Sequence, residues 1–430
     1  MSYYKRTADA LLQDLLDAFG AVLIDGPKWC GKTTTASQLA NSILKMQDPS
    51  MRAEYLVTAK TKPSILLQGD TPRLIDEWQD APMLWDAVRT TVDDRQIPGQ
   101  FILTGSNAVD KSQIHHSGAG RIARLRMLPM SLWESQESTG EVSLKELFNN
   151  SDYDIDGKMS KMTIENLIFA ASRGGWPASL LARTPKAQLL VAKNYVQTIC
   201  SDDISGIDGR KRDAKLTSMI LRAYARNVST LVKKKSLLDD VTSSGEVSCH
   251  VDTFDDYVAA LEKLFVIQNI SAWCPAIRSK TAIRSSVKRC FCDPSIPIAL
   301  LGLSPEALSM QLRTFGFIFE QMCIRDLKAY TIDLNSHVSY YHDRYDLEAD
   351  IVLHLEDGRY ALIECKLGSC EIDDGAKHLL ELKRLIQEHN KTEKQVPIRE
   401  PDLLIVMTGG TMAYTRPDGV KVIPLACLKD

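Results

Sequence analysis

A glycine-rich stretch near the start of the chain has the residue types and spacing of a phosphate-binding loop. Four residues separate Gly26 from Gly31, and Lys32 and Thr33 follow directly, which satisfies the pattern GxxxxGK[ST]. In such a loop, backbone N–H groups point at phosphate oxygens, the lysine reaches the terminal phosphates, and the hydroxyl reaches Mg²⁺. The residues predicted to contact ATP are Gly26, Pro27, Lys28, Trp29, Cys30, Gly31, Lys32, Thr33 and Thr34.

Two carboxylates follow a short apolar run that starts at Arg73. If this run is a strand beside the loop, Asp76 is predicted to hold Mg²⁺ together with Thr33, and Glu77 to polarise the attacking water as a general base. Acidic strand ends are common on protein surfaces, so the complete loop upstream gives this pair its significance. The two features together predict hydrolysis of ATP as well as binding, with Lys32 and Glu77 as catalytic residues.

Two further groups could act on the same phosphates. The run Phe101–Thr104 ends in small polar residues, of which Thr104 or Ser106, rather than Asn107, is expected to sense the γ-phosphate or orient water. A glycine loop ends in Arg121, whose guanidinium could stabilise transition-state charge on a neighbouring subunit. A plain strand end and a surface arginine are the alternative interpretations.

A second set of candidate catalytic residues lies in the last third of the chain. Asp350 is separated from Glu364 and Lys366 by a hairpin signal, and the period-two spacing puts Glu364 and Lys366 on one face of a strand. Two carboxylates that bind Mg²⁺ and a lysine that activates water suit metal-dependent cleavage of nucleic acid. Alternating charges beside a hairpin are also common, and such folds can bind without cutting.

The elements that must position these groups alternate between strands and helices. Apolar runs at 21–25, 73–76 and 100–104 are separated by helical patterns, which is typical of a parallel α/β sheet. Residues 150–215 have helical spacing broken by a turn at 173–177. Three short helical patterns within 216–265, followed by a β-like tail, predict a winged helix, and the α/β alternation resumes over residues 310–430.

Several motifs together resemble those of a large prokaryotic family of AAA-type ATPases. They lie at residues 26–33, 74–78, 101–106, 117–121, 129–134 (PMSLWE) and 174–177 (GGWP). The resemblance covers nearly the whole chain. It implies an ATPase core, a winged-helix segment, and a C-terminal domain similar to restriction endonucleases.

The same resemblance implies roles for single residues. Arg121 is the position that matches a trans-acting arginine, which allows a homo-oligomer. Glu320 matches the additional acidic position of the PD-(D/E)xK nuclease signature, beside Asp350, Glu364 and Lys366. Ala349 stands where that signature usually has a proline, a departure that weakens the match.

The predicted fold class is therefore α/β, in four units. They are a P-loop ATPase domain (1–155), a helical lid or linker (156–214), a winged-helix-like domain (215–290) and a restriction-endonuclease-like domain (291–430).

Composition limits the class of protein. The chain has 430 residues, 44% hydrophobic and 25% charged, as in ordinary soluble proteins. Its apolar runs are far shorter than the roughly 18 residues of a membrane span, and no signal peptide precedes the first helix, so we expect a cytoplasmic protein without a membrane partner. Scattered cysteines without CxxC pairs indicate reduced thiols.

Positive charge is concentrated in one segment. The net charge is −3, yet residues 205–290 hold 15 Lys and Arg against 9 Asp and Glu. Basic residues at 210–212, 233–235 and 288–289 could contact the phosphates of DNA or another nucleic acid. They could instead form a solvated helical face, an interdomain contact or a contact with a protein partner. Two functions therefore remain open, an ATPase that controls a nuclease-like domain acting on or gripping nucleic acid, and an ATP-dependent regulatory switch whose nuclease-like fold is a non-catalytic interaction module.

Overall fold

A computed structural model of the chain describes residues 3–106, 116–243, 245, 247–273, 286–392 and 397–430. The N-terminal domain is built on a parallel sheet of five strands, which are β1 (Ala21–Asp25), β2 (Ser42–Lys45), β3 (Arg73–Asp76), β4 (Phe101–Gly105) and β5 (Ile122–Arg126). Their order across the sheet is β2-β3-β4-β1-β5, and every neighbouring pair is parallel. The predicted P-loop α/β sheet is thereby confirmed.

Helices cover both faces of this sheet, since alternate residues of its central strands are buried on opposite sides. The helices are α1 (Ala8–Ala18), α2 (Lys32–Leu39), α3 (Arg52–Thr61) and α4 (Met83–Arg95). Helices α1 and α2 pack on one face, and α3 and α4 pack on the other. Because β4 lies between β1 and β3 and all three strands are parallel, their carboxyl ends lie side by side at the same end of the sheet.

The next elements are short helices around the turn at 173–177. Helix α5 (Leu144–Asn149) follows β6 (Val142–Ser143), and the remaining helices are α6 (Ile164–Arg173), α7 (Pro177–Leu180), α8 (Pro185–Thr198), a π-helical turn (Ile199–Asp203) and α9 (Ile204–Gly206). Thr163 begins α6 with a reciprocal capping box to Asn166.

Three helices and a hairpin occupy the segment in which a winged helix was predicted. The helices are α10 (Ala214–Arg226), α11 (Lys234–Thr242) and α12 (Val251–Lys263). Antiparallel bridges then join Ile267 to Phe291 and Ile270 to Lys288. We call residues 267–273 and 286–291 the wing hairpin. Helices α13 (Ser295–Leu301) and α14 (Pro305–Ser309) follow it.

The C-terminal domain contains a six-stranded sheet between two long helices. Its elements are α15 (Leu312–Tyr330), β7 (His337–His342), β8 (Glu348–His354), β9 (Tyr360–Lys366), α16 (Ile372–Thr392), β10 (Leu403–Thr408), β11 (Tyr414–Thr415) and β12 (Lys421–Pro424). The order is β11-β12-β10-β9-β8-β7, antiparallel from β7 to β9 and parallel from β9 through β10 to β12. The predicted second α/β domain is present.

The stretch after the PMSLWE motif packs on the C-terminal domain. Strand β6 pairs with β13 (Leu428–Lys429), Ser138 donates a hydrogen bond to the Leu428 carbonyl (2.6 Å), and Ser143 donates one to the Asp430 carbonyl (2.8 Å). Beyond residue 155, the amides of Gly157 and Ser160 donate to the carbonyls of Ala413 and Thr411, so residues on both sides of the predicted boundary contact the C-terminal domain.

A buried ionic cluster joins the domains at their centre. Arg325 of α15 donates to Asp326 (2.7 Å) and to Asp293 (3.1 Å), and all three are almost fully buried. The amide of Leu132 donates to Asp326 (3.0 Å), and that of Gly175 donates to Asp293 (3.0 Å). The PMSLWE motif thus binds α15 directly through Asp326, and the GGWP motif binds Asp293, which Arg325 of α15 holds.

Among the helices described, none is both long enough and apolar enough to cross a membrane. The nine cysteines in the described part of the chain are free thiols.

Candidate functional site

The glycine-rich stretch forms the loop between β1 and α2. Gly26 has φ 145°, and a Cβ atom there would lie 2.2 Å from the Met127 carbonyl oxygen, so only glycine fits. Lys32 is buried, and its Nζ donates to the carbonyls of Gly26 (3.0 Å) and Pro27 (2.8 Å). The ammonium group therefore lies in the hollow of the loop, where phosphate oxygens would replace the two carbonyls.

A buried ion pair supports the loop from below. Arg6 and Glu134 lie 3.0 Å apart with side chains 5% and 2% exposed, and Arg6 also donates to the carbonyls of Cys30 (2.7 Å) and Leu128 (2.7 Å). Burial alone would raise the pKa of Glu134, but the charge of Arg6 and the hydrogen bond from the Ser131 amide outweigh it, and the pKa is lowered. The Cys30 thiol is buried in the core, so only its backbone belongs to the loop.

Three predicted residues meet at the carboxyl edge of the sheet. Asp76 Oδ1 accepts hydrogen bonds from the hydroxyls of Thr33 (2.6 Å) and Thr104 (2.7 Å). The Thr33 hydroxyl and the Asp76 carboxylate are oxygen ligands of the kind that Mg²⁺ prefers, so this pair fits the metal of a nucleotide site. Thr104 is fully buried, and its hydroxyl supports Asp76. The expectation that Thr104 or Ser106 senses the γ-phosphate or orients water stays a prediction.

Glu77 faces the cleft in a constrained backbone conformation. It has φ 56° and ψ 50°, in the left-handed region that few non-glycine residues adopt. Its Oε2 accepts hydrogen bonds from Ser106 (3.0 Å) and from the Gln79 amide. Ser106, at the end of β4, lines the cleft. Asn107 lies outside the described residues.

The cleft above the loop has a volume of about 1420 Å³ and lies between the N-terminal domain and the short helices. One wall is the loop itself, where Lys28, Trp29, Gly31, Lys32, Thr33 and Thr34 line it. The opposite wall is apolar in part, with Leu181, Leu190, Val191 and Ile207. A cleft of this size with a basic loop on one side and apolar side chains on the other suits a nucleotide.

Two loop side chains contact the opposite wall. Lys28 Nζ donates to Asp203 at 2.6 Å. The ring of Trp29 lies 5.6 Å from that of Tyr195, which in turn lies 4.2 Å from Trp176 of the GGWP motif. The predicted helical lid therefore touches the phosphate-binding loop through a charge pair and an aromatic chain.

An arginine connects the start of the loop to the three-helix unit. Arg126, the last residue of β5, donates to both oxygens of Asp25 (2.6 and 3.0 Å), which directly precedes Gly26. Its guanidinium also lies over the ring of Phe265, 4.4 Å from the centroid, just after α12.

Arg121 lies at the amino end of the parallel strands, whereas the loop lies at their carboxyl end. Its carbonyl accepts from the Ala21 amide at the start of β1, and its side chain donates to Asp93 (2.8 Å). A five-residue strand of about 16 Å separates it from the loop, so it cannot reach the nucleotide of its own chain.

The predicted catalytic residues of the C-terminal domain lie near one another, and each contacts another residue of the chain. The Asp350 carboxylate accepts the amide of Cys365 (2.9 Å), and Lys366 Nζ lies 2.7 Å from Glu364 Oε2. Glu320 forms an ion pair with Lys288 at 2.5 Å.

Burial changes the acidity of two of these carboxyl groups. It raises the pKa of Glu320 to about 8, although Lys288 opposes the shift, and it raises the pKa of Glu364 to about 8 together with the charge of Asp350. A cleft of about 1160 Å³ is lined by Glu320, Asp350 and Lys366.

Glu364 itself is fully buried and does not line that cleft, since Gly375 and His378 of α16 cover it. Within the ranges described, no three His, Cys, Asp or Glu side chains are arranged to hold a metal ion. The assignment of Asp350 and Glu364 as Mg²⁺ ligands therefore stays a prediction.

The basic segment divides into buried and exposed residues. Lys288 and Arg289 are buried, with Arg289 donating to the Val232 carbonyl (3.2 Å) and the Tyr224 hydroxyl (3.2 Å). This burial corrects the expectation that residues 288–289 contact a nucleic acid. Residues 233–235, at the start of α11, are exposed.

Comparison with protein families divides the chain into three matched regions. Residues 18–136 match the AAA domain family, residues 164–307 match a domain of unknown function (DUF8612), and residues 315–428 match another (DUF4143). The first match coincides with the loop, both acidic residues and the PMSLWE motif. It supports an ATP-binding, ATP-hydrolysing P-loop domain of the AAA type in the first third of the chain.

Similar proteins and structures were also found. Uncharacterized proteins of Mycobacterium tuberculosis and Mycobacterium bovis are each 23% identical over 367 residues, which cover 83% of this chain and 72% of theirs. A Walker-type ATPase of Pyrococcus abyssi is 11% identical with a TM-score of 0.39, covering 70% of this chain and 96% of that one. The structure of Drosophila ORC bound to DNA is 15% identical with a TM-score of 0.17, covering 71% and 84%.

Proposed function

We propose that this chain is an ATP-hydrolysing switch whose nucleotide state controls the contacts of its lid and C-terminal domain. The observation that supports this best is the meeting of Thr33, Asp76 and Thr104 under a cleft that Lys32 and Glu77 line. Binding and hydrolysis of a triphosphate require a hydroxyl and a carboxylate for Mg²⁺ and an ammonium group for the phosphates.

Each residue has a defined part in this proposal. Lys32 exchanges its two carbonyl acceptors for phosphate oxygens, and Thr33 and Asp76 hold Mg²⁺, which neutralises phosphate charge when bound. Glu77 accepts a proton from the attacking water, and the Ser106 hydroxyl fixes the orientation of its carboxylate.

The lid contacts suggest how the nucleotide state is transmitted. A bound triphosphate competes with Asp203 for the ammonium of Lys28, because that ammonium belongs to the loop that surrounds the phosphates. Loss of the 2.6 Å ion pair between Lys28 and Asp203 releases the π-helical turn from the loop. The movement reaches the GGWP motif because Tyr195 packs on Trp176.

Turnover of ATP by the purified full-length chain tests the first part of the proposal. Glu77→Gln should lower kcat by about 10²–10⁴ with little change in ATP affinity, since it removes the base and keeps the loop. Glu54→Gln, an exposed acid on α3, is the matched control and should leave turnover unchanged. Unchanged turnover in Glu77→Gln would contradict the role of this residue.

We also propose that Arg121 acts on the nucleotide of a neighbouring copy in a homo-oligomer, because its distance from its own loop excludes action within one chain. Arg121→Ala and Glu77→Gln should each be inactive alone. Mixing them should restore part of the turnover if their sites are shared between subunits. No recovery on mixing, in chains shown to associate, would contradict the proposal.

A second candidate function is Mg²⁺-dependent cleavage or gripping of nucleic acid by the C-terminal domain. It is favoured by the succession α15-β7-β8-β9-α16-β10, which is the order expected of a restriction-endonuclease-like fold, and by the cleft shared by Glu320, Asp350 and Lys366. The exposed residues 233–235 could contact phosphates.

Incubation with DNA and Mg²⁺ distinguishes the two functions. Cleavage that is lost in Asp350→Ala and in Lys366→Ala would favour the nuclease. DNA that stays intact, with normal ATP turnover, would favour a switch that acts on a protein partner through a non-catalytic fold.

A further inference from the structure

Lys288 lies where a cation would be expected between acidic groups of the C-terminal domain. Its Nζ is 2.5 Å from Glu320 Oε1 and 3.7 Å from Asp350 Oδ1, and it donates to the Asp350 carbonyl oxygen at 2.9 Å. The side chains of Lys288 and Glu320 are only 6% and 9% exposed. One ammonium therefore serves three oxygen atoms in a nearly dry environment.

The same three oxygens are of the kind that a divalent metal ion uses. Carboxylate and backbone carbonyl oxygens are hard ligands, and two carboxylates buried together need a positive partner. A neighbouring carboxylate, Glu364, is fully buried, and neither of its oxygens makes an aligned hydrogen bond to a described residue, although Lys366 lies within ion-pair distance.

We propose that Lys288 is a resident cation that closes this oxygen site to divalent metal ions. While it is seated, Glu320 and Asp350 are not available for metal-dependent chemistry. This inference goes beyond the proposed ATPase function and does not rest on it, since it concerns only the C-terminal carboxyl groups.

The lysine belongs to a different part of the chain from the carboxyl groups that it neutralises. It sits on the wing hairpin, where its backbone pairs with Ile270, and the Arg289 amide next to it donates to the Thr230 carbonyl (2.9 Å). The wing hairpin also reaches the edge of the C-terminal sheet, because Ala272 bridges to Tyr340 of β7. Displacement of the wing hairpin would therefore withdraw the ammonium and leave the oxygen site open.

Binding of Mn²⁺ to the full-length chain, measured by calorimetry without nucleotide, tests the proposal. The wild type should show no Mn²⁺ binding that depends on Asp350. Lys288→Met, or Lys288→Gln if the first variant does not fold, should gain a Mn²⁺ site that is lost again when Asp350→Asn is added. Lys328→Met, at a half-buried lysine on α15, is the control and should gain no site.

Two results would overturn the proposal. One is Mn²⁺ binding by the wild type that disappears in Asp350→Asn, since the site would then already be open. The other is a cooperatively folded Lys288 variant that gains no Mn²⁺ site dependent on Asp350. Mn²⁺ bound at Thr33 and Asp76 can be distinguished from this site, because Asp350→Asn leaves it unchanged. ATP turnover of the wild type is measured separately.

Discussion

Replacing Arg6 by methionine should weaken both the fold and the nucleotide site, because this one side chain holds the loop from below. The change removes the partner of Glu134 and the donors to the carbonyls of Cys30 and Leu128, all in a buried environment. Methionine keeps most of the volume and removes only the charge and the donors.

The expected loss of unfolding free energy depends on the hydrogen bonds that Glu134 keeps. Breaking a buried ion pair by removing one partner costs about 3–5 kcal/mol. Glu134 retains hydrogen bonds from the amide and hydroxyl of Ser131 (2.8 and 3.1 Å) and of Thr7 (2.9 and 3.0 Å), so we expect a loss near about 3 kcal/mol. Glu134→Met should cost nearer about 5 kcal/mol, because Arg6 then keeps only carbonyl acceptors.

The pH dependence has a definite sign. In the wild type the pKa of Glu134 is lowered, so the ion pair stabilises the fold above the unfolded value and is lost as pH falls through the folded one. Without Arg6, only the hydrogen bonds from Ser131 and Thr7 oppose burial, the largest effect on this carboxyl group, and we expect its pKa to rise. The penalty in Arg6→Met should therefore be larger at about pH 8 than at about pH 5.

Urea unfolding of four proteins measures these quantities: the wild type, each single variant, and Arg6→Met combined with Glu134→Met. The double variant should lose much less than the two single losses added together, since it leaves no unpaired charge. Additive losses, or a pH-independent penalty in Arg6→Met, would refute the reasoning.

Further variants test the packing and the lid. Gly175→Ala should lose about 1–3 kcal/mol of unfolding free energy, because its Cβ would lie 2.1 Å from the Met130 carbonyl oxygen, whereas Gly316→Ala in the middle of α15 has open space and should gain about 0.5–1 kcal/mol. Equal melting temperatures of these two variants would contradict the close approach. Asp203→Asn should change stability by no more than about 1 kcal/mol, since Lys28 is 37% exposed, yet should speed exchange of a fluorescent ATP analogue measured by stopped flow. An unchanged exchange rate would show that the contact between Lys28 and Asp203 does not affect nucleotide exchange.

Local patterns predicted the elements well where they were long and periodic. The α/β alternation predicted over residues 310–430 corresponds to the elements from α15 to β12, and the hairpin signal between Asp350 and Glu364 corresponds to the turn between β8 and β9. The loop was equally clear, because phosphate binding needs glycines, a lysine and a hydroxyl at fixed spacing within one short stretch.

Contacts between distant residues could not be predicted in this way. Arg6 and Glu134 are 128 positions apart, and nothing near Arg6 in the sequence indicates its role, although Glu134 ends the PMSLWE motif. The role of Lys288 was left open between nucleic acid, solvent and an interdomain contact, because one sequence does not reveal that a hairpin carries it to Glu320 and Asp350. The choice between Thr104 and Ser106 likewise depended on which side chain the strand turns toward Asp76.

Calorimetric titration of ATP with Mg²⁺ into the wild type and into Lys32→Ala tests the central claim most directly. The wild type should bind the nucleotide with a measurable heat that is absent without Mg²⁺ or in Lys32→Ala, since the ammonium in the hollow of the loop is then gone. A folded wild type that releases no heat, or Lys32→Ala that binds ATP as well as the wild type, would contradict the account.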